Sequence, residues 1–307
     1  MKKSVLVTGG AGFLGRHLIE KLIPSENEIF VPRSSNFDLT VRSEVDKIFD
    51  VVRPDVVVHL AAKVGGIGAN RENPGRFFYD NISMGINLVD ASREYGVDRF
   101  IHVGTVCSYP KNCPVPFKED DLWNGFPEQT NAPYGIAKKA IITMLEGYKK
   151  QYGLNSTVLL PVNLYGPGDN FDESSSHVIP ALIKKVYDAK ERGDVEIVCW
   201  GTGNASREFL YVEDAAEAIK LAIDSDVVDP LPINLGGCGE ITIRELVETI
   251  CDVMNYDGKI KWDVTKPDGQ PRRCLDTSRC KEKLNWKAST DFKNGLEKTI
   301  SWYKKNR

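Results

Sequence analysis

The chain has 307 residues, of which 41% are hydrophobic and 27% charged, and its formal net charge is −3 at pH 7. This length can bury a large core in one large or two smaller domains, and the charge balance argues against nucleic acid or an anionic membrane as a partner. No apolar run approaches the roughly 20 residues of a membrane span, and we expect no signal sequence because Met-Lys-Lys-Ser leads directly into an apolar strand. The seven cysteines are scattered without Cys-x-x-Cys spacing, which predicts reduced thiols, no metal site and a cytoplasmic protein.

The first predicted elements are an apolar strand, a glycine-rich turn and a helix. The run Val-Leu-Val-Thr-Gly-Gly-Ala-Gly-Phe-Leu-Gly contains all three, and apolar periodicity continues over residues 13–23. Glycines in such a turn allow a tight bend and a close approach of the backbone to a pyrophosphate, which the helix amino terminus attracts. The pattern predicts a dinucleotide site that includes Gly9, Gly10, Ala11, Gly12, Phe13, Leu14 and Gly15.

The end of the second predicted strand bears on the choice of nicotinamide cofactor. An acidic residue there usually binds the ribose 2′-hydroxyl of NAD, whereas an arginine accommodates the 2′-phosphate of NADP. After Phe30 the chain continues Val-Pro-Arg-Ser-Ser, with Arg33 and two hydroxyls and no carboxylate until Asp38. NADP(H) is therefore the predicted cofactor, although Arg33 taken alone is equally consistent with an ordinary surface charge.

Strands and helices alternate through the next part of the chain. The apolar patterns predict strands at 56–60, 99–103 and 157–160 and helices at 77–95 and 133–152. This alternation is typical of a Rossmann-type, doubly wound α/β fold, with a parallel sheet covered by helices on both faces. Ligands then bind at the carboxyl ends of the strands.

Polar groups follow the strand at 99–103. Cys107 lies just past it in Gly-Thr-Val-Cys-Ser-Tyr-Pro, and Tyr134 and Lys138 lie one helical turn apart in Tyr-Gly-Ile-Ala-Lys. Residues i and i+4 share a helix face, so we expect the Lys138 ammonium near the Tyr134 phenol, where it favours the ionised form. Such a phenol can donate a proton to a carbonyl as hydride arrives. The pattern predicts a reductase pocket, whereas Tyr-x-x-x-Lys alone is also consistent with a half-exposed pair.

The composition of the sequence and the order of its predicted elements change after Pro161. A loop rich in Gly, Pro and Asp at 165–176 precedes a predicted helix at 177–190, a strand at 196–200 and helices at 213–223, 243–254 and 292–303. These elements predict a smaller carboxyl-terminal α/β substrate domain. We place the cofactor domain at 1–165 and the substrate domain at 166–307, with an approximate boundary because the two are expected to be intertwined.

Nearly end to end, the chain resembles the extended short-chain dehydrogenases/reductases. Beyond the glycine turn and the Tyr/Lys pair, the specific segments are 61–67 (Ala-Ala-Lys-Val-Gly-Gly-Ile), 107–110 (Cys-Ser-Tyr-Pro), 161–167, 169–171, 176–180, 207–210 and 266–269. The contexts of Cys107 and His177 are similar to those of the bifunctional branch that inverts C3 and C5 and then reduces C4 of GDP-4-keto-6-deoxy-mannose. The resemblance implies a GDP-sugar substrate, NADPH, and a homodimer joined by a four-helix bundle of the helices at 77–95 and 133–152.

The resemblance also implies roles for the catalytic residues. A ketone at C4 acidifies the protons on C3 and C5, so inversion needs a base, an acid and a group that stabilises the enolate oxygen. Cys107 and His177 would be the base and acid, with Cys107 favoured as base. Tyr134 and Thr105 would hold the C4 oxygen, and Lys138 would position the nicotinamide ribose. Thr105 stands where serine is expected, and its extra methyl restricts χ1.

Further binding residues follow from the same resemblance. For the cofactor they are Arg33, Leu60, Ala61, Ala62, Val103, Gly104, Tyr134, Lys138, Pro161, Asn163, Leu164 and His177. For the substrate nucleotide they are Asn163, Val178, Lys185, Trp200, Arg207, Arg272 and Asp276. Arginine and lysine suit a diphosphate, and a tryptophan ring offers a flat apolar wall.

Other interpretations of single residues stay open at this level. Cys107 could be inert packing, because cysteine is among the most buried residue types. His177 could be a surface residue at a helix start, and Trp200 could belong to the core. Arg207 could form a structural ion pair with Glu208 or Glu213.

Two other functions also remain open. A relative that reduces or epimerises another nucleotide-linked keto sugar, such as a deoxyheptose, would share these motifs. A catalytically silent dinucleotide-binding protein is a further alternative, although it would have no reason to keep the whole proton-transfer set.

Overall fold

A computed structural model describes residues 2–172, 175–266 and 268–307. Its strands are β1 (Ser4–Thr8), β2 (Glu28–Phe30), β3 (Val56–His59), β4 (Arg99–Val103), β5 (Ser156–Pro161), β6 (Asn163–Tyr165), β7 (Glu196–Trp200), β8 (Ser206–Tyr211), β9 (Pro232–Leu235), β10 (Glu240–Thr242), β11 (Lys259–Asp263) and β12 (Arg272–Arg273). Its helices are α1 (Phe13–Leu22), α2 (Arg42–Val52), α3 (Ile67–Glu72), α4 (Pro74–Glu94), α5 (Ala132–Tyr152), α6 (Val178–Arg192), α7 (Val212–Asp224), α8 (Ile243–Met254), α9 (Ser278–Leu284) and α10 (Phe292–Asn306).

The centre of the fold is a parallel sheet with the strand order β2-β1-β3-β4-β5-β9 in the described part of the chain. The inner strands β1, β3 and β5 are buried along almost their whole length. Apolar burial on both faces is expected where helices cover both sides of a parallel sheet. Helices α4 and α5 pack against each other, and α1 packs against α7. The predicted Rossmann-type α/β fold is confirmed.

Most predicted elements agree with the structure to within a few residues. The strands at 99–103 and 196–200 and the helix at 243–254 coincide with β4, β7 and α8. The sequence analysis did not predict α2, β8 or β9 as elements. Strand β9 is a four-residue run that begins with proline, and a run this short carries little periodicity.

The second part of the chain returns to the first sheet. After β6, α6, β7 and β8, helix α7 packs on α1 and β9 pairs with β5 at the sheet edge. The remaining strands form two small sheets, in which β8 pairs with β6, β10 and β12, and β7 pairs with β11. Helices α6, α8 and α10 pack around a separate apolar cluster. The expected intertwining therefore includes α7, β9 and also α9, whose Cys280 and Leu284 belong to the core of the first sheet. The division after residue 165 stays a prediction.

Two further observations concern the apolarity of the helices and the state of the cysteines. None of the helices in the described ranges has the length and apolarity that crossing a bilayer would require. All seven cysteines are free thiols, as the sequence analysis predicted.

Candidate active site

A cleft of about 2380 Å³ runs along the carboxyl ends of the first sheet and under the second part of the chain. Pockets for one small ligand usually enclose ~300–1,000 Å³. The cleft is therefore large enough for two ligands side by side. It is lined by the glycine turn at one end and by residues of α6, β7, β8 and β12 at the other.

The glycine turn has the geometry that the sequence predicts. Gly9 has a φ of +72°, a left-handed conformation that favours glycine. A Cβ on Gly15 would lie 2.2 Å from the Gly9 carbonyl oxygen, so α1 can start this close to the turn only without a side chain there. The residues from Gly9 to Gly15 line the cleft except for Gly10, which packs against Val31.

Arg33 lies at the cleft wall after β2 and is exposed. Among the residues that the structure describes, none forms an ion pair with it. Asp38 also lines the cleft, but its Oδ1 accepts hydrogen bonds from the backbone and hydroxyl of Thr40 at 2.9 and 2.7 Å, which lower its pKa. The available charge at this end of the cleft is thus a cation, as expected for a 2′-phosphate site.

The other residues predicted to contact the cofactor line the same cleft. They are Leu60, Ala61, Ala62, Val103, Gly104, Tyr134, Lys138, Pro161, Asn163, Leu164 and His177. The carboxyl ends of β3, β4 and β5 supply most of them, as the parallel sheet requires.

Thr105, Cys107 and Tyr134 form a cluster beyond the end of β4. The Thr105 hydroxyl accepts a hydrogen bond from the Cys107 backbone N–H at 3.2 Å and caps a short 3₁₀ turn. The same hydroxyl lies close enough to the Tyr134 phenol to oppose part of the rise in its pKa. Burial and then the neighbouring Cys107 raise the pKa of Tyr134. The phenol is therefore protonated at neutral pH and ready to donate.

Close contact between α5 and the Cys107 turn holds this cluster together. The Ser108 hydroxyl donates to the Gly135 carbonyl at 2.9 Å. A Cβ on Gly135 would lie 2.3 Å from the Cys107 carbonyl oxygen, so the glycine beside Tyr134 allows the helix to approach. The local pattern Tyr-Gly-Ile-Ala-Lys does not by itself indicate this role of its glycine.

Lys138 differs from the expectation. Its buried ammonium donates to the Val103 carbonyl at 3.0 Å, and burial lowers the pKa of Lys138 to about 8. Lys138 is not among the groups that shift the pKa of Tyr134, which moves away from ionisation. The expected stabilisation of an ionised phenol is thus absent here, because a buried ammonium needs an acceptor and the Val103 carbonyl provides it.

His177 occupies the residue before α6 and lines the cleft. The residue is exposed, as the alternative of a surface residue at a helix start has it, and its side chain makes no capping hydrogen bond to the helix. The ring is accessible from the cleft, while the surrounding protein lowers the pKa of His177 through desolvation. A neutral imidazole at this position can accept or relay a proton.

Five of the residues predicted for the substrate nucleotide line the cleft, namely Asn163, Val178, Lys185, Trp200 and Arg207. The Trp200 side chain is 66% exposed, so its assignment to the core is wrong. Burial and the neighbouring Arg273 lower the pKa of Arg207 to about 10, and the guanidinium donates to the Ser206 carbonyl.

The alternative ion pairs of Arg207 are not formed. Glu208 accepts hydrogen bonds from the backbone of Gly237 and Leu275 at 2.8 Å each. Glu213 accepts from the Tyr211 hydroxyl. The Arg207 side chain is therefore available to a ligand in the cleft.

Arg272 and Asp276 do not line the cleft, contrary to their prediction as substrate contacts. Arg272 forms an ion pair with Glu240 on the outer surface at 2.6 Å. Asp276 accepts a hydrogen bond from the Ser278 backbone at the start of α9. Strand alternation explains the correction for Arg272, because its neighbour Arg273 faces the cleft instead.

The sequence analysis missed several polar residues at the Cys107 end of the cleft. They are Lys111, Glu128, Gln270 and Arg273. Three of them lie in loops without periodicity. For Arg273 the signal is the register of β12 against β8, where Arg273 pairs with Arg207 and Arg272 with Ser206, and that register depends on the fold.

Comparison with known proteins agrees with this site. The NAD dependent epimerase/dehydratase family matches residues 5–236. A rice protein (Oryza sativa subsp. japonica) described as a probable GDP-L-fucose synthase 1 is 40% identical over 98% of this chain and 92% of its own length.

Two solved structures extend the comparison. A GDP-L-fucose synthetase from Naegleria fowleri bound to NADP has a TM-score of 0.90 and 28% identity, covering 100% of this chain and 95% of that one. A GDP-6-OMe-4-keto-L-xylo-heptose reductase from C. jejuni has a TM-score of 0.91 and 26% identity, covering 100% and 99%.

Proposed function

Because the chain belongs to the NAD dependent epimerase/dehydratase family, we propose that it is an NADPH-dependent enzyme acting on GDP-4-keto-6-deoxy-D-mannose. The enzyme inverts C3 and C5 of the sugar and reduces C4, which gives GDP-L-fucose. The observation that carries the proposal is the presence of Thr105, Cys107, Tyr134 and His177 in one cleft with the glycine turn. A simple reductase would need the phenol but no thiol or imidazole in addition.

The cofactor end of the cleft suits NADPH. Gly9, Gly10 and Gly15 leave no room for a Cβ, so backbone can approach a pyrophosphate at the start of α1. Arg33 would supply a guanidinium for the 2′-phosphate, and Lys138, which lines the same cleft, would position the nicotinamide ribose, as the family resemblance implies. NADPH would supply the hydride that reaches C4.

Epimerisation uses the thiol, the imidazole and the cluster around Tyr134. One of Cys107 and His177 removes a proton from C3 or C5, and the other returns a proton to the opposite face. The C4 oxygen carries the enolate charge meanwhile, and hydrogen bonds from Tyr134 and Thr105 stabilise it.

Reduction uses the same hydrogen bonds. Tyr134 is protonated because burial raises its pKa, so it can give its proton to the C4 oxygen when the carbonyl is reduced. One cleft can serve both reactions because the same oxygen bears the developing charge in each.

The second end of the cleft would hold the nucleotide. Arg207 and Lys185 suit the diphosphate, and the exposed Trp200 ring suits a flat base, with the Lys266 ammonium 5.6 Å from its centroid. In the sequence, Asn163 and Val178 come after Tyr134 of the catalytic cluster and before Lys185, Trp200 and Arg207.

Product analysis tests the proposal. The purified protein is incubated with GDP-4-keto-6-deoxy-D-mannose and NADPH in D₂O, and the product is identified by mass spectrometry and NMR. GDP-L-fucose with deuterium at C3 and C5 is expected. Reduction without inversion would contradict the epimerase half, and no NADPH consumption with any 4-keto sugar nucleotide would favour the silent dinucleotide-binding protein.

The similarity to the C. jejuni heptose reductase supports a second candidate, a reductase or epimerase of a GDP-linked heptose. The two candidates differ in the substituent at C6 of the sugar. Parallel assays with the 6-deoxy-hexose and a GDP-4-keto-heptose separate them by the ratio of kcat/KM.

The proposal includes a cytoplasmic homodimer. Free thiols at all seven cysteines suit a reducing compartment. Helix α4 exposes Phe78, Tyr79 and Ile86, and α5 exposes Tyr152, so apolar groups are available for a bundle of two α4–α5 pairs. Light scattering after size-exclusion chromatography measures the oligomeric state, and a monomer at all concentrations would contradict the bundle.

A further inference from the structure

Two neighbouring arginines on β12 face different sides of the strand. Arg272 lies at the outer surface and pairs with Glu240. Arg273 lies on the other side, as alternation along a strand requires, and its Nη1 is 3.9 Å from the Cys107 sulfur. β12 thus brings one cation into the cleft beside the thiol.

Neutral groups hold the Arg273 side chain in place. Nη2 and Nε donate to the Gln270 Oε1 at 3.0 and 3.3 Å. Gln270 in turn donates through Nε2 to the Lys111 carbonyl at 2.9 Å. None of the ion pairs found within the described ranges includes Arg273. Its guanidinium therefore lies near the sulfur without a direct ion pair, although it also attracts the Glu128 carboxylate, whose pKa it helps to lower.

Other ionisable groups also surround this part of the cleft, namely Lys111, Glu128, Tyr134, His177 and Arg207. Burial opposes ionisation of Glu128, yet hydrogen bonds from Thr130 and Asn131 lower its pKa, and all of these go to Oε2. The phenol of Tyr134 is neutral because burial raises its pKa.

Where Cys107 acts as the base of the proposed epimerisation, we propose that Arg273 stabilises its thiolate and orients the sulfur toward the sugar ring. Arg273 is then a positioning residue, since it acts through the thiol. This role rests on the proposed function.

The proton transfer balances without a further reactant. The thiolate takes a proton from C3 or C5, so a C–H bond breaks and an S–H bond forms. The electron pair of that C–H bond moves into the enolate, whose charge lies at the C4 oxygen near Tyr134 and Thr105. Negative charge thus passes from the sulfur beside Arg273 to the oxygen beside the two hydroxyls. A proton from the acid on the opposite face then re-forms the C4 carbonyl, and proton exchange with solvent restores the thiolate and the acid.

The first experiment uses the unmodified protein without substrate. Iodoacetamide is added over a series of pH values, and alkylation of each cysteine is followed by peptide mass spectrometry. Cys238 cannot serve as the reference, because burial and nearby carboxylates raise its pKa, so N-acetylcysteine alkylated in parallel is used instead. Cys107 is half-buried, yet its alkylation is expected to have a lower pH midpoint than that of the free thiol. An equal or higher midpoint for Cys107 would overturn the proposal.

The second experiment compares Arg273→Gln with Arg273→Lys and Arg272→Gln. Because an opposite charge at this distance shifts such a midpoint by about one unit or more, Arg273→Gln should slow Cys107 alkylation about tenfold at neutral pH. Arg273→Lys should be intermediate, and Arg272→Gln should react at the parental rate. Parental Cys107 reactivity in Arg273→Gln contradicts the proposal. If Arg273→Gln does not fold, the pH profiles of Cys107 alkylation in Arg273→Lys and in the unmodified protein test the proposal.

A third measurement links the thiol to catalysis. Solvent deuterium exchange at C3 and C5 of the substrate should fall in Arg273→Gln and recover as the pH is raised, while the NADPH Kd stays unchanged. If the exchange rate of the variant kept the parental pH profile, the proposed role of Arg273 in stabilising the thiolate would be refuted. Absence of exchange in the unmodified protein, together with a shifted alkylation profile in the variant, would refute the proposed function and leave the Arg273–Cys107 pair standing.

Discussion

The two ends of the cleft are assembled in different ways. The phosphate-binding part of the cofactor end comes from one continuous segment, in which β1, the turn with Gly9 and Gly15, and α1 follow one another. The catalytic and substrate end combines Cys107 after β4, His177 before α6 and Arg273 on β12. A site encoded by one segment is visible as a local pattern, whereas a site assembled from distant segments depends on packing that no local pattern contains.

The largest effect is expected from a substitution of Cys107, at the catalytic end of the cleft. Cys107→Ser should reduce deuterium exchange at C3 and C5 to background, because a serine hydroxyl is a far weaker base than a thiolate. NADPH binding should stay the same, since the glycine turn is untouched. Mass spectrometry of the sugar nucleotide and a fluorescence titration with NADPH measure the two effects.

A matched control is available in Cys238→Ser, which changes an exposed thiol outside the cleft. It should exchange like the unmodified protein. Normal exchange in Cys107→Ser would remove Cys107 from the mechanism.

The next largest effect is expected at Tyr134. Loss of a positioned general acid usually costs about 10²–10⁴-fold in rate, so Tyr134→Phe should slow NADPH oxidation to this extent with the keto sugar. Tyr148→Phe removes a phenol on the same helix whose hydroxyl donates to Asp90 at 3.0 Å, away from the cleft. It should keep the parental rate, and equal losses in both variants would mean that the helix rather than the phenol was damaged.

The two ends of the cleft also differ in how far the sequence alone predicts them. The strand, turn and helix at the amino terminus and the i, i+4 pair of Tyr134 and Lys138 are local patterns, and the structure contains both in one cleft. Helix spacing predicts the shared face of Tyr134 and Lys138, but not the acceptor that the buried Lys138 ammonium finds at the Val103 carbonyl.

Arg272 and Arg273 show what a local pattern leaves out. Both are arginines in one short strand, and only the register against β8 decides which one enters the cleft. Likewise β9 joins the first sheet far along the chain, through pairing with β5 that its own four residues do not specify.

At the cofactor end of the cleft, the next prediction concerns the preference for NADPH over NADH. Arg33→Ala should lower kcat/KM for NADPH by about 10- to 100-fold, because a hydrogen bond to a charged phosphate contributes roughly 1.5–3 kcal/mol. The value for NADH should change little, since NAD has no 2′-phosphate. Steady-state kinetics with both cofactors provides the internal control, and a parallel loss for both would show that Arg33 supports the fold of the loop instead.

The smallest effect concerns the loop that connects the two ends. Arg16 and His17 of α1 hydrogen-bond the carbonyls of Gly168 and Pro167, and the next residue, Asp169, is buried with one oxygen unpartnered. Burial raises the pKa of Asp169 to about 7 from an ordinary value of 3.8. The folded state therefore holds a proton that the unfolded chain releases, and stability should fall as the pH rises between these two values and level off above.

Asp169→Asn removes that pH dependence, because its side-chain oxygen can still accept the Asn170 N–H while carrying no charge. The variant should gain about 1–3 kcal/mol over the parent at pH ~8 and progressively less toward pH ~4, since one unit of raised pKa corresponds to about 1.4 kcal/mol. Urea unfolding at several pH values measures the difference. Asp263→Asn is the control, because that exposed carboxylate is hydrogen-bonded to Thr265 and its pKa is lowered. A gain in Asp169→Asn that does not grow with pH would mean that the carboxyl is not protonated in the folded protein, so that the loop between the two ends carries a buried charge.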